Sequence, residues 1–132
     1  MMSRLEDVLG FQQQALRLRS ERQQLLASNI ANADTPGYQA KDMDFAAALK
    51  AALSQQASAS QPAQTQSGHL SAQGLSGAGY ITQRPPLQNS LDGNTVDMDT
   101  ERNQFTENAL RYEVSLSLAH EDIKNLLAAI QG

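Results

Sequence analysis

The sequence predicts a mainly α-helical protein. Long N- and C-terminal helices pair as an antiparallel coiled coil around a flexible polar loop insertion that carries short β segments. Three features predict it. Apolar residues recur at helical spacing over residues 3–33, a heptad pattern fills residues 97–132, and Ser, Gln, Ala and Gly dominate from Ser54 to about Gly79. The boundaries that follow are an N-terminal coiled-coil helix over 1–35, a turn and short helix over 36–53, a polar insertion over 54–96 and a C-terminal coiled-coil helix over 97–132.

Ser3-x-x-Glu6 forms a capping box ahead of the first helix. One apolar stripe is Leu5, Leu9, Leu16, Leu26, Ile30 and Ala33, and a second is Val8, Phe11, Ala15, Leu18 and Leu25. The stripes lie about 100° apart, so the apolar face is broad. Gln12, Arg19 and Gln23 interrupt the first stripe, and Arg22 and Asn29 the second. Such a helix packs on two neighbours, because a single partner would leave one stripe wet.

The helix ends in Leu26-Ala27-Ser28-Asn29-Ile30-Ala31-Asn32-Ala33-Asp34-Thr35-Pro36-Gly37-Tyr38. Pro36 has no N–H and pushes Thr35 away from helical angles. Pro36-Gly37 suits the centre of a type II turn, where the glycine takes φ > 0. Asn29, Asn32 and Asp34 are residues that bond to nearby backbone at a helix end, and Tyr38 offers a ring to anchor the emerging chain. Asn29 and Asn32 have two readings: caps of the helix, or buried amides that set register as in coiled coils.

Residues 44–53 read as a short Ala-rich helix capped by Asp42 or Asp44. The polar stretch after it holds too little apolar surface to offset the entropy of ordering. Tyr80-Ile81-Thr82-Gln83 reads as a short strand, Arg84-Pro85-Pro86-Leu87 as extended polyproline and Asp92-Gly93 as a turn.

The last helix begins near Asp97, with Asp97, Asp99 and Glu101 at the positive end of its dipole. Its a positions are Arg102, Ala109, Leu116, Ile123 and Ile130, and its d positions are Met98, Phe105, Tyr112, Ala119 and Leu126. That repeat argues for a coiled coil with an a/d seam. At ~1.5 Å per residue the helix is a rod of roughly 50 Å. Arg102 is costly inside a dry seam, so it snorkels at the seam's end or pairs with an acid on a neighbouring subunit.

Composition removes several function classes. The 132 residues carry a net charge of −4 with acids and bases interspersed, which argues against nucleic-acid binding. There is no Cys, hence no disulfide or thiolate chemistry, and aromatic residues make up only 5%, too few to supply one large core. No run approaches the ~20 apolar residues of a membrane span. The N-terminal segment carries acids where a signal peptide needs an apolar stretch. His69 and His120 lack convergent partners for a metal site. Asp92–Asp99 fails as a calcium loop, because Val96 occupies the fifth position and no glycine the sixth. Asp42 and Asp44 have no partner base, no GxSxG surrounds a serine, and Gly74, Gly77 and Gly79 form no phosphate loop. No catalytic residue, cofactor, metal or small-molecule substrate is expected.

SNIANADTPGY, with a long helix before it, resembles the N-terminal signature of the axial proteins of the bacterial flagellum. Tyr38-Gln39-Ala40-Lys41-Asp42-Met43-Asp44-Phe45 resembles the family's continuation. Arg84-Pro85-Pro86, Ser90-Leu91-Asp92-Gly93-Asn94-Thr95-Val96-Asp97 and Glu107-Asn108-Ala109-Leu110-Arg111-Tyr112 are similar to the proximal rod members in particular. The likeness covers roughly the first 53 and last 48 residues.

The resemblance implies a D0-like helix pair in the innermost tube of the axle and a structural role without enzymatic activity. It implies export through the flagellar type III channel without a cleaved signal, and residence in the basal-body rod across the periplasm. The implied partners are the chain itself, other proximal rod proteins, and the membrane-ring adaptor and export gate at the rod base. Assembly would use Leu5, Leu9, Leu16, Leu26, Ile30, Phe105, Tyr112, Leu116, Ile123, Leu126 and Ile130. The signature turn is Asn29, Asn32, Thr35, Pro36, Gly37 and Tyr38. Phe45-x-x-x-Leu49 has two readings, an apolar pair on one helix face or an export-gate recognition element. The alternatives are another short rod protein, or a soluble coiled-coil adaptor or export chaperone.

Overall fold

The computed structural model describes residues 2–59, 80–85 and 91–131. Five elements follow in order: α1 (Met2–Ala31), β1 (Lys41–Met43), α2 (Phe45–Ala59), β2 (Ile81–Gln83) and α3 (Met98–Gln131). The expected polar stretch at 60–79, including His69 and the three glycines, lies outside the described residues, as do Pro86 and Leu87 and the side chains of Ser3 and Leu5.

α1 is the central element. It packs along α3 on one side and against α2 and β1 on another. The α1–α3 pair is antiparallel: Asn108 of α3 reaches Arg19 and Gln23, Gln104 reaches Arg22, and Glu101 reaches Asn29. On the α2 side a small core joins Leu18, Met43, Ala48 and Ala52, with Leu25, Phe45, Leu49 and Tyr80 packed around it. Burying a side chain such as Leu18 contributes about 1.5–3 kcal/mol. The alanines let the α2 and α1 backbones approach closely.

α1 stops where Pro36 and Gly37 require it to. The Asn32 side-chain Nδ2 donates to Ser28 O at 2.8 Å, and Thr35 Oγ1 donates to Asn32 Oδ1 at 3.1 Å. Tyr38 N donates to Thr35 O at 3.2 Å around Gly37 at φ +75°, which is type II turn geometry. The chain leaves as β1, which pairs antiparallel with β2 in the register Lys41↔Gln83, Asp42↔Thr82 and Met43↔Ile81. Arg84 N donating to Ala40 O and Asp44 N donating to Tyr80 O extend the ladder at both ends. Asp44 caps α2, accepting from Ala47 N at 3.2 Å. Asp97 caps α3, accepting from Asp99 N and the Thr100 hydroxyl.

Four features differ from the sequence expectation. α2 does not end at Leu53; it runs to Ala59. Alanine is the best helix former, Ser54 donates its hydroxyl to Lys50 O within the helix, and Ala52 is held in the core. No strand is predicted over Lys41–Met43, where the structure forms β1. Asp92–Val96 was assigned to a flexible insertion, yet it is bonded to the end of α1 and the turn after it: Gly37 N donates to Asp92 O, Thr95 N to Tyr38 O, and Ala40 N to Thr95 Oγ1.

The fourth difference is the seam. The line of buried or half-buried residues that continues down α3 is Met98, Glu101, Phe105, Asn108, Tyr112, Ser115, Ala119, Asp122 and Leu126, with Thr100, Gln104 and Ala109 half-buried beside its start. That line is the d and g positions, not a and d. Leu116, Ile123 and Ile130 at a are exposed, as is Arg102, while Ala109 is half-buried. Buried polar bonds from Glu101 and Asn108 hold the g line against α1, and a count of apolar residues does not register such a line.

Candidate functional site

Two regions of the fold carry the residues singled out in the sequence: a polar elbow where α1 turns into β1, and an apolar flank along α3.

The elbow is built on Asn29, which is fully buried. Its Nδ2 donates to Lys41 O at 2.7 Å and to Glu101 Oε2 at 3.0 Å, and its Oδ1 accepts from Lys41 N at 3.0 Å and from the Tyr38 hydroxyl at 3.2 Å. Tyr38 also shares a hydrogen bond with Ser28 Oγ at 3.3 Å. Of the two readings of these asparagines, Asn32 serves the helix end and Asn29 the buried interior.

Beside Asn29 runs a chain of charges, Arg22–Asp42–Arg84–Glu101. Arg22 grips Asp42 with Nε at 2.9 Å and NH2 at 3.2 Å, and reaches Gln104 Oε1 at 2.7 Å. Arg84 bridges Asp42 Oδ2 at 2.8 Å and Glu101 Oε1. Two cations face two carboxylates, so the partly buried group is neutral, the condition under which buried ions persist. Burial pushes the Asp42 carboxyl up, but hydrogen bonds from Arg22, Arg84 and Met43 N outweigh it and hold the group below its ordinary value. About one turn earlier on α1, the Arg19 guanidinium lies 4.1 Å over the Phe45 ring. Burial first, then Arg111 and Arg22, push Arg19 down, with Glu107 opposing.

Asn94 closes the elbow from the α3 side. Its Nδ2 donates to the carbonyls of Asn32, Ala33 and Thr35 at 3.0, 2.9 and 2.8 Å. These are carbonyls at the end of α1 that the helix itself cannot satisfy. Thr35, Pro36 and Gly37 are exposed at the tip of the turn.

The remaining residues expected to pack divide into two groups. Leu26 is buried and Leu9, Leu16 and Ile30 are half-buried on α1, while Phe105, Tyr112 and Leu126 are half-buried on α3. Leu116, Ile123 and Ile130 join Leu127 as an exposed apolar flank beside the seam, with Ile130 71% exposed. Leu110, Val114 and Leu118 form a second exposed apolar patch, lining a groove with Glu113, Ser117 and Glu121. Val8 and Phe11 are exposed on α1, so its second stripe is shared between α2, which covers Leu18 and Leu25, and open surface. Phe45 and Leu49 are half-buried in the α1–α2 core.

Sequence reasoning missed Arg22, Arg84, Asn94, Glu101 and Asn108 as one group. Each was assigned to a stripe break, an extended segment, a turn, a dipole or a family match. Only the pairing of α1 with α3 brings them together. Among the described residues no cluster of His, Cys, Asp or Glu is placed to hold a metal ion, and no helix is long and apolar enough to cross a membrane. His120 is exposed on α3.

Sequence comparison says what kind of protein this helix pair, polar elbow and exposed apolar flank belong to. The family described as flagella basal body rod protein matches residues 9–39, which covers most of α1, the turn and Tyr38. Over its whole length the chain is 46% identical to the flagellar basal body rod protein FlgB of Salmonella typhimurium and 47% identical to that of Escherichia coli K12, covering 99% of each. It is 44% identical to the FlgB of Cereibacter sphaeroides, over 99% of both chains. The chain is therefore a flagellar basal body rod protein, a structural component of the rod and not an enzyme. Within that class it belongs to the FlgB family.

Proposed function

We propose that this chain is a subunit of the proximal rod that assembles helically through the apolar flanks of its terminal helices and so carries torque along the axle. The observation that carries the reading is the exposure of Leu116, Ile123, Leu127 and Ile130 on a helix whose seam is already filled from the other side. A contiguous apolar flank of this kind marks a contact surface. Contacts between one flank and a different surface of the next subunit propagate without closing, as a helical tube requires. Neighbours in this reading are further copies, other proximal rod proteins, and the membrane-ring adaptor and export gate at the rod base.

Export by the flagellar type III system belongs to the same proposal. Phe45 and Leu49, as a recognition element, are half-buried in the folded subunit, so recognition acts before α2 docks on α1. Export of Phe45→Ala and Leu49→Ala variants at normal levels with normal expression rules that role out.

The assembly reading is tested by placing a single cysteine at Leu116 or Ile123, since the chain has none of its own, and cross-linking isolated basal bodies. Adducts to a second copy or another rod protein are expected. Basal bodies that contain the chain but give no adduct from either position contradict the reading.

A further inference from the structure

Arg84 reaches the α1–α3 pair from outside it. It follows β2, a three-residue strand in which Thr82 and Gln83 are exposed. Its amide donates to Ala40 O, and its guanidinium joins Asp42 and Glu101. A pairing of three residues is weak by itself. The segment therefore rests on Tyr80, packed at the edge of the small core, and on Arg84 at its other end.

The two carboxylates do not depend on Arg84 equally. Without it, Asp42 keeps two hydrogen bonds from Arg22, at 2.9 and 3.2 Å, and one from Met43 N at 2.7 Å. Glu101 keeps only the Asn29 amide at 3.0 Å among the described residues. The Glu101 side chain is wholly shielded from water, whereas that of Asp42 is 22% exposed. A buried anion that loses its cation is strongly destabilising, and a partly exposed one still meets water. Withdrawal of Arg84 therefore falls on Glu101. That residue lies in the first turn of α3, where the positive end of the helix offsets only part of the loss. The carboxylate regains water by leaving α1, and it takes the start of the helix with it.

We propose that the Tyr80–Arg84 segment is a strap that governs the seating of Met98–Asn108, about three turns of α3, on α1. With the strap down, Glu101 is neutralised and the seam closes. With the strap up, the start of α3 lifts away. The coupling is reciprocal, because a seated Glu101 supplies one of the two anions that hold the strap. The strap and the C-terminal helix thus close on α1 together, and neither closes firmly alone.

The test is amide hydrogen exchange, read by NMR on the full chain. R84Q removes the cation and keeps a polar side chain. It is expected to speed exchange of the α3 amides at 102–108 by at least about tenfold, with the α2 amides of Ala48 and Ala52 changed by less than about twofold. R84Q/E101Q removes the anion as well, and is expected to bring the α3 amides back to within about threefold of E101Q alone. Unchanged α3 protection in R84Q overturns the proposal. So does a double variant as loose as R84Q, which would show that Arg84 acts by packing and not through the buried charge. If R84Q does not fold, the double variant decides: a folded chain with α3 protected supports the strap, and an unfolded one overturns it.

Discussion

The side chain of Asn29 pairs with the main chain of Lys41 as a neighbouring strand would: Nδ2 donates to the Lys41 carbonyl at 2.7 Å and Oδ1 accepts from the Lys41 amide at 3.0 Å. A helix residue thereby extends a two-stranded sheet that is too small to stand alone. Glu101 joins the same amide from α3, so one side chain ties three elements together.

Removing that amide leaves the Lys41 N–H and C=O without their partner and strips a donor from a fully buried carboxylate. Asn29→Ala is expected to cost about 1–3 kcal/mol. Urea unfolding followed by circular dichroism checks this: the midpoint falls while the slope holds.

The chain of charges makes stability depend on pH. Asp42 is held below its ordinary value in the folded state, against about 3.9 in an unfolded chain. The unfolded chain therefore binds more protons between the two values, and stability falls as pH falls. The contribution is fully present above the unfolded value and is lost as pH drops through the folded one. Asp42→Asn is expected to narrow its gap to the parent as pH moves from 6 towards 3. Urea midpoints across that range measure it.

Gly37 and Gly93 both sit at φ +75°. A Cβ on Gly37 meets nothing within 4 Å, and one on Gly93 meets the Gly37 Cα at 3.6 Å and its N at 4.0 Å. The cost of Gly37→Ala is therefore almost wholly backbone, about 1–2 kcal/mol. Gly37→Asn is expected to cost less, because asparagine tolerates this region. Comparing the two thermal midpoints separates backbone strain from lost contact.

Much of this architecture is written locally in the chain. The helical spacing of apolar residues marks the long helices, although α1 starts at Met2, ahead of Ser3, and Thr35-Pro36-Gly37-Tyr38 specifies its own turn, because these signals act between residues close in sequence. The end of α2 was not legible, since the Ser, Gln and Ala of Ser54 to Ala59 carry no stop signal and only weak preferences. β1 is three residues long and exists through its pairing with β2 and Asn29. The face of α3 was misassigned for a related reason. Hydrophobic counting favours Leu116 and Ile123 over Glu101 and Asn108, yet the polar pair is inside because its partners on α1 are there. Arg84 and Asp42, 42 residues apart, belong to one cluster that no local pattern encodes.

The central claim is that the apolar flank of α3 faces other subunits and not the chain's own core. The direct measurement is the amount of L116D/I123D chain in isolated basal bodies, set beside its unfolding midpoint in solution. Both positions are close to half-exposed, and substitutions outside the core usually shift stability by no more than about 0.5 kcal/mol. The predicted result is a folded, expressed chain missing from basal bodies, in cells that do not swim. Normal incorporation and swimming with two acids on that flank would contradict the account.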